Sequence, residues 1–296
     1  MALRALYDVA APAKLNLFLH VVGRRTDGYH LLQSVFALID WCDSLHFELR
    51  DDGRLARHDL GAALPADDLC LRAARALAAA SGTPLGADIS IEKHVPSGSG
   101  MGGGSSDAAS TLLALNLLWR LRWPRERLAV LALELGADVP FFLGAGNAIV
   151  EGIGERLTPL ALPPYWLAVL KPAANVATRA IFASPLLGRS TETDIVKGFI
   201  GGGSAKAREG FGEVWSYGRN DLQAAAEAGY AEVAQAAALL QARFGNSRMT
   251  GSGSAVFARA GHGERPAGDM PADLPVGWTG RMCRSLTAHP LAGWAD

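Results

Sequence analysis

Apolar and polar positions along the chain follow two periods, and each change of period marks the edge of an element. Residues 4–10, 14–22, 31–39 and 44–50 alternate or are rich in β-branched side chains, which predicts four strands. Residues 69–80 form an alanine-rich run closed by Ser81-Gly82 and predict a helix; residues 87–95 alternate again and predict a half-buried strand. Ala/Leu-rich residues 108–121 predict a second helix, and residues 124–136, opened by Pro124 and closed by Gly136, a third. After Leu162-Pro163-Pro164 the pattern restarts, so the chain divides into residues 1–162 and 163–296. The second part reads as an apolar strand over 165–170, a loop and a helix start capped by Thr178, and helices over 220–228 and 230–244. Strands over 247–250 and 254–260 flank a Gly251-Ser252-Gly253 turn, a polar loop covers 262–275, and a last strand covers 278–284. Residues 189–209, with Gly201-Gly202-Gly203-Ser204, carry no clear period and are expected to form a mobile surface segment.

The junction between the strand at 87–95 and the helix after it carries the chemistry. It reads Pro96-Ser97-Gly98-Ser99-Gly100-Met101-Gly102-Gly103-Gly104-Ser105-Ser106-Asp107, with five glycines in seven residues. Strand, glycine loop and helix in that order aim free backbone N–H groups, and the positive end of the helix dipole, at one point, which favours phosphate. Glycines at that density serve a backbone that takes positive φ or approaches a ligand closely. Ser105 and Ser106 at the helix start either cap it or reach phosphate or Mg²⁺. Asp107 suits the dipole but would repel a polyphosphate, so it is expected to point away.

Three common glycine loops do not fit. A P-loop requires Lys-Ser/Thr after its last glycine, and Gly104 is followed by Ser105-Ser106. Gly98-x-Gly100-x-x-Gly103 matches the dinucleotide fingerprint, but the region where the second strand and its acidic residue should lie is the helix over 124–136. A protein kinase would carry His-Arg-Asp and Asp-Phe-Gly, and neither occurs.

Composition narrows the partners. At 296 residues and 49% hydrophobic, the chain can bury a substantial core. A net charge of −1 gives no electrostatic case for nucleic acid or an anionic membrane. Cys42, Cys70 and Cys283 have neither metal spacing nor an even disulfide set, which predicts reduced thiols in a cytoplasmic protein. Arg4, Asp8 and Lys14 interrupt the first apolar stretch, so no signal peptide is expected, and no apolar run is long enough to span a bilayer.

Four further segments bear on function. Lys14 and Asn16, two apart on a predicted strand, share a face. A lone strand lysine is often a solvated edge charge, but Pro12 and the apolar run after Lys14 place it at the mouth of a buried strand. Gly23-Arg24-Arg25-Thr26-Asp27-Gly28-Tyr29-His30 reads as a turn whose Tyr29 and His30 either pack structurally or contact a ligand. Asp138 precedes Val139-Pro140-Phe141-Phe142 and reads as a helix N-cap or as a base. Phe182 reads as core, and Gly251-Ser252-Gly253 as a hairpin turn or as a wall of a site.

The loop Pro96-x-x-x-Gly100-Met101-Gly102-Gly103-Gly104-Ser105-Ser106 resembles the phosphate loop of the GHMP small-molecule kinases. Pro12-Ala13-Lys14-Leu15-Asn16-Leu17 and Met249-Thr250-Gly251-Ser252-Gly253-Ser254-Ala255 match the same family, in the family's order. With Asp27-Gly28-Tyr29-His30 and Gly136-Ala137-Asp138-Val139-Pro140-Phe141-Phe142, the resemblance narrows to the branch acting on a cytidine diphosphate-linked methylerythritol. It implies an α+β, two-domain fold with a ribosomal S5 domain 2-like N-terminal half, a ferredoxin-like C-terminal half, a left-handed βαβ crossover and an active site in the interdomain cleft. It implies ATP and Mg²⁺, with ATP held by residues 96–106 and metal ligands unassigned. It makes Lys14 and Asp138 catalytic, and Asn16, Tyr29, His30, Thr178, Phe182, Gly251 and Ser252 substrate-binding, with Tyr29 and Phe182 sandwiching cytosine. The expected partner is the small-molecule substrate, without nucleic acid or membrane, on a monomer or weak homodimer. Homoserine kinase activity is the rival within the family, and Tyr29, His30 and Phe182 would have no purpose in it. A catalytically dead nucleotide-binding regulator is the rival outside it, against which the presence of both Lys14 and Asp138 argues.

Overall fold

Residues 3–187 and 215–295 are described by the computed structural model. The stretch 189–209, expected to form a mobile surface segment, lies outside them. Strand β1 (Ala5–Arg24) pairs antiparallel along its length with β2 (His30–Arg50), from Ala5 opposite Glu48 to Arg24 opposite His30. The four strands expected between residues 4 and 50 are therefore two. Register shifts between Leu6 and Val9, Pro12 and Lys14, Asn16 and Leu19, and Val21 and Gly23 break the alternation without ending the strands. The one at Pro12 has a plain cause, since proline cannot donate to the ladder.

After β3 (Leu55–Asp59), helix α1 (Leu69–Ser81) crosses over to β4 (Gly86–Glu92), which lies parallel to β3 and antiparallel to β2. The Asp68 carboxylate caps α1 by accepting from the Leu71 N–H, and Gly82 ends it in the left-handed conformation. Helices α2 (Gly103–Leu118), α3 (Arg125–Leu135) and α4 (Val139–Leu143) follow, then β5 (Ala148–Gly152) on the other half of β2, and β6 (Arg156–Pro159). The six strands form one sheet, ordered β3-β4-β2-β5-β6 with β1 paired to β2. Twelve of the sixteen residues of α2 are buried, which makes it an interior helix and fixes where its N-terminus points.

The second sheet, ordered β10-β7-β9-β8, is antiparallel and contains β7 (Trp166–Lys171), β8 (Arg248–Met249), β9 (Val256–Arg259) and β10 (Thr279–Arg284). Helix α5 (Thr178–Ala183) leaves this sheet toward the first; α6 (Gln223–Gly229) and α7 (Ala231–Phe244) pack Ala226, Val233, Ala236 and Leu240 against Ala168, Leu170 and Val256. The chain then crosses back. The Leu286 N–H donates to the Leu38 carbonyl and the His289 N–H to that of Ala145. The Arg125 guanidinium donates to the carbonyls of Leu143, Leu291, Ala292 and Ala295, and Leu291 and Ala295 join the first core.

Candidate active site

Helix α2 begins five residues earlier than its Ala/Leu pattern implies, because the last glycines of the loop already adopt helical turns. Gly98, Gly100 and Gly102 have φ of +63°, +76° and +75°. A Cβ on Gly100 would lie 2.5 Å from the Thr250 carbonyl oxygen, and one on Gly102 2.8 Å from the Phe142 ring. The loop is thereby clamped between the two sheets: the Ser254 and Ala255 N–H groups donate to the Gly98 and Ser99 carbonyls at 3.2 and 3.0 Å, and the Lys14 N–H donates to Met101 at 2.9 Å. No side chain caps α2, so the capping role open to Ser105 and Ser106 is not used. Gly103, Gly104 and Ser105 line a cavity of about 380 Å³ with Pro96, Ser97, Gly98, Ser99, Gly100 and Gly102. Met101 and Ser106 are fully buried, and the Ser106 hydroxyl has no hydrogen-bond partner. Gly100→Ala should cost about 1–2 kcal/mol from the left-handed backbone alone, before the clash with Thr250 is relieved. Thermal unfolding and equilibrium nucleotide binding should both register the loss.

Beneath the loop lies a charge cluster that no motif announces. Asp43 accepts from the His94 and Val95 N–H groups at 2.6 and 2.7 Å and from the Lys93 ammonium, which also donates to Asp107 at 2.5 Å. Burial pushes the Asp107 carboxyl up, Lys93 opposes and Asp43 adds to the rise. Burial opposes charge on Lys93, but the two carboxylates outweigh it and raise its pKa. Asp107 does not point away as expected; it lines the cavity, and its charge is met by Lys93.

A second cavity, about 160 Å³, is lined by Lys14, Asn16, Ser34, Phe36, Asp138, Thr178, Phe182, Gly251 and Ser252, with Leu19, Leu32, Val150, Ile153 and Leu222 as apolar wall. Lys14 is 3% exposed. Its Nζ donates to Asn16 Oδ1 at 2.5 Å, lies 3.6 Å from Asp138 Oδ2 and sits 4.2 Å from the centre of the Phe36 ring. Burial lowers the Lys14 pKa from its ordinary 10.5, and the Asp138 charge pulls the other way. Asp138 occupies the N-cap position of α4 yet makes no capping hydrogen bond, so the capping alternative falls and Lys14 is its ion-pair partner. Asn16 is fixed on all sides: its N–H donates to Thr250 Oγ1 and its amide to the Ser34 hydroxyl.

Thr178 does not cap α5. It is the first helical residue, Ala177 precedes it without a side-chain cap, and the Thr178 hydroxyl pairs with that of Ser252 at 2.7 Å. The Gly251 turn is more than a hairpin: the Asn220 amide donates to the Met249 and Gly251 carbonyls, and the Asn16 N–H donates to Thr250 Oγ1, which ties the turn to the first half. His30 stacks on Phe182, ring centroids 5.1 Å apart and planes 24° from parallel, whereas Tyr29 is 62% exposed at the hairpin tip. Phe182 lines the cavity; Tyr29 and His30 do not. Residues overlooked in the sequence are Ser34, Phe36, Asp43, Lys93, Asn220 and Thr250. Only Thr250 sat in a recognisable motif.

The family profile for the GHMP kinases N terminal domain matches residues 68–146. A protein of Methylibium petroleiphilum named 4-diphosphocytidyl-2-C-methyl-D-erythritol kinase is 67% identical over 297 residues, covering 100% of both chains. The crystal structure of a 4-(cytidine 5'-diphospho)-2C-methyl-D-erythritol kinase superposes with a TM-score of 0.71 at 36% identity, covering 85% of this chain and 89% of the other. A homoserine kinase from Cytophaga hutchinsonii, 17% identical, shares the fold with a TM-score of 0.64 over 97% of this chain and 95% of its own. Among the described residues, no helix is long and apolar enough to cross a membrane, and no group of three His, Cys, Asp or Glu side chains is placed to hold a metal.

Proposed function

The chain belongs to the 4-diphosphocytidyl-2-C-methyl-D-erythritol kinases of the GHMP family, and we propose that Lys14 and Asp138 carry out its phosphoryl transfer. The reaction moves the γ-phosphoryl group of ATP to the 2-hydroxyl of 4-diphosphocytidyl-2-C-methyl-D-erythritol, in the non-mevalonate route to isoprenoid precursors. The observation that carries the assignment is the 3.6 Å approach of the Lys14 ammonium to the Asp138 carboxylate in the wall of one cavity, beside the phosphate loop. The bond from the substrate oxygen to the γ-phosphorus forms as the bond to the β,γ-bridging oxygen breaks. Asp138 orients the hydroxyl and accepts its proton, while Lys14 supplies fixed positive charge to the transferring group. The transition state of phosphoryl transfer is loose, so the proton can leave late.

ATP fits the larger cavity because the crowded, left-handed glycines bring backbone N–H groups where side chains would block them. A magnesium ion fits there too. Ser105 and Asp107, which line that cavity, would hold it, with phosphate oxygens completing the set. When bound, such an ion draws negative charge off the phosphate oxygens. We assign Asn16, Thr178, Phe182, Gly251 and Ser252 to the acceptor on the ground that all line its cavity. Tyr29 and His30 join Phe182 on the cytosine once the hairpin tip moves and His30 leaves the Phe182 face. The two sheets support a domain boundary at 162/163, with the last residues returning to the first domain. Three free cysteines support a reducing, cytoplasmic setting.

The test is an ADP-release assay with the diphosphocytidyl substrate, against homoserine and mevalonate. ADP release with either control and none with the cytidine compound would overturn the substrate assignment. Tyr29→Ala should raise KM for the cytidine substrate by roughly 5- to 150-fold, the equivalent of stacking worth about 1–3 kcal/mol per base. KM for ATP should barely move, and a ring this exposed should leave thermal stability unchanged. An equal rise in both constants would refute the stacking role.

A further inference from the structure

The largest of the described cavities, about 550 Å³, lies away from both sites, at the opposite end of α2. The sixteen residues of that helix carry the chain on the order of 24 Å from the phosphate loop. Its walls include Leu117, Trp123 and Trp294, and its rim carries Arg120 and Arg122. Among the described residues, no acidic side chain lines it. Among the described residues, neither guanidinium makes an ion pair or hydrogen bond. Both arginines sit in the left-handed conformation, φ 56° and 55°, where glycine or asparagine is the ordinary choice. The turn is held there firmly: the Asn116 side chain accepts from the Trp123 N–H at 2.9 Å and donates to the Trp123 carbonyl at 3.0 Å, and the Leu121 N–H donates to the Asn116 carbonyl. The Arg127 guanidinium covers the Trp123 ring at 3.4 Å and fixes that wall.

We propose that this cavity is a second ligand site, for a small organic phosphate ester. Its anionic end meets Arg120 and Arg122, and its apolar group lies against Trp123, Trp294 and Leu117. A cavity of this size with a partly apolar wall and two charges at its rim has the build of a small-molecule site. Two guanidiniums supply the planar donor pairs that phosphate oxygens accept. The C-terminal end of α2 carries about half a negative charge, which alone would draw cations; among the described residues the two full charges of Arg120 and Arg122 exceed it. Dipole compensation also gives no reason for two non-glycine residues to be held in a left-handed turn above an apolar pocket.

The test is titration calorimetry on the whole chain with its phosphate loop saturated by a non-hydrolysable ATP analogue. The probes are hexyl phosphate, inorganic phosphate and phosphatidylglycerol vesicles. Hexyl phosphate should bind at one site per chain, about tenfold or more tighter than inorganic phosphate, as burial of several methylenes requires. The double variant Arg120→Asn, Arg122→Asn should weaken hexyl phosphate about tenfold or more while kcat and both KM values stay put. Asparagine tolerates the left-handed backbone, so the variant keeps the turn, and unchanged circular dichroism confirms it. Three results would overturn the proposal: no binding once the ATP analogue is present, equal affinity in the double variant, or a response to vesicles without one to the soluble ester.

Discussion

Asp138→Asn is expected to lower turnover by about 10²–10⁴-fold, the usual contribution of a positioned acid–base group. Equilibrium binding of ATP should change little. Asparagine has the same shape, and the Asp138 carboxylate caps no helix, so the fold's stake in its charge is confined to the ion pair with Lys14. What is lost is chemical: the amide oxygen still accepts a hydrogen bond from the acceptor hydroxyl, but it cannot take up the proton as the new bond to phosphorus forms. The ammonium of Lys14 also loses the carboxylate 3.6 Å away, which leaves the Asn16 oxygen and the Phe36 ring as its partners. Steady-state kinetics separate the cases. A fall confined to kcat identifies a group acting in the transition state. Turnover within a few-fold of the parent would mean that alignment by other groups carries the reaction and that Asp138 is not the proton acceptor. A large rise in the Kd for ATP would place Asp138 at the nucleotide instead.

The sequence disclosed the phosphate loop because a dense glycine run between a strand and a helix has few other uses, and the structure shows why each glycine is needed at Gly100 and Gly102. Lys14 and Asp138 were legible only through their flanking motifs; nothing in the periodicity brings two residues so far apart in the chain into one cavity. The pattern implies four strands where the structure has one long hairpin because bulges interrupt alternation as strand ends do. Strands β3, β5 and β6 escaped because each is at most five residues long, too short for a period to register. The cluster of Asp43, Lys93 and Asp107 was invisible for a different reason. It joins β2, the residue after β4, and the start of α2; Asp43 and Lys93 alone read as ordinary charges on a solvated face, and Asp107 reads as a dipole-suited carboxylate pointing away. The placement of Thr178 shows how far a local rule reaches: a threonine before an apolar helix reads as a cap, but Ser252, 74 residues away, takes its hydroxyl.

Lys14→Met should abolish most activity, by about 10²-fold or more, and leave the protein at least as stable as the parent at neutral pH. The first half follows from removing a fixed charge aimed at the transferring group, a loss comparable to deleting one oxyanion donor. The second follows from burial. Lys14 is 3% exposed, and desolvation outweighs the pull of Asp138, so its pKa lies below 10.5 and the folded state holds the ammonium less readily than the unfolded chain does. Methionine has nearly the same length, and its sulfur can rest against the Phe36 ring where the ammonium now lies. Asn16 Oδ1 keeps a second contact, the Thr250 hydroxyl at 3.3 Å, and Asp138 is 34% exposed and can be hydrated. The sign of the pH dependence is fixed. Between the lowered pKa and 10.5 the unfolded chain binds more protons than the folded one, so stability of the parent rises with pH across that window. Any advantage of the variant should therefore be greatest at neutral pH and fade as pH climbs toward 10.5. Turnover of the parent should run the opposite way, falling as pH rises through the lowered pKa and Lys14 gives up its proton. Melting temperatures of both proteins across that range, beside the pH profile of kcat for the parent, check the pair of claims. A variant markedly less stable at neutral pH would show that the lysine is held for the fold; one that still turns over at the parental rate would remove it from the chemistry.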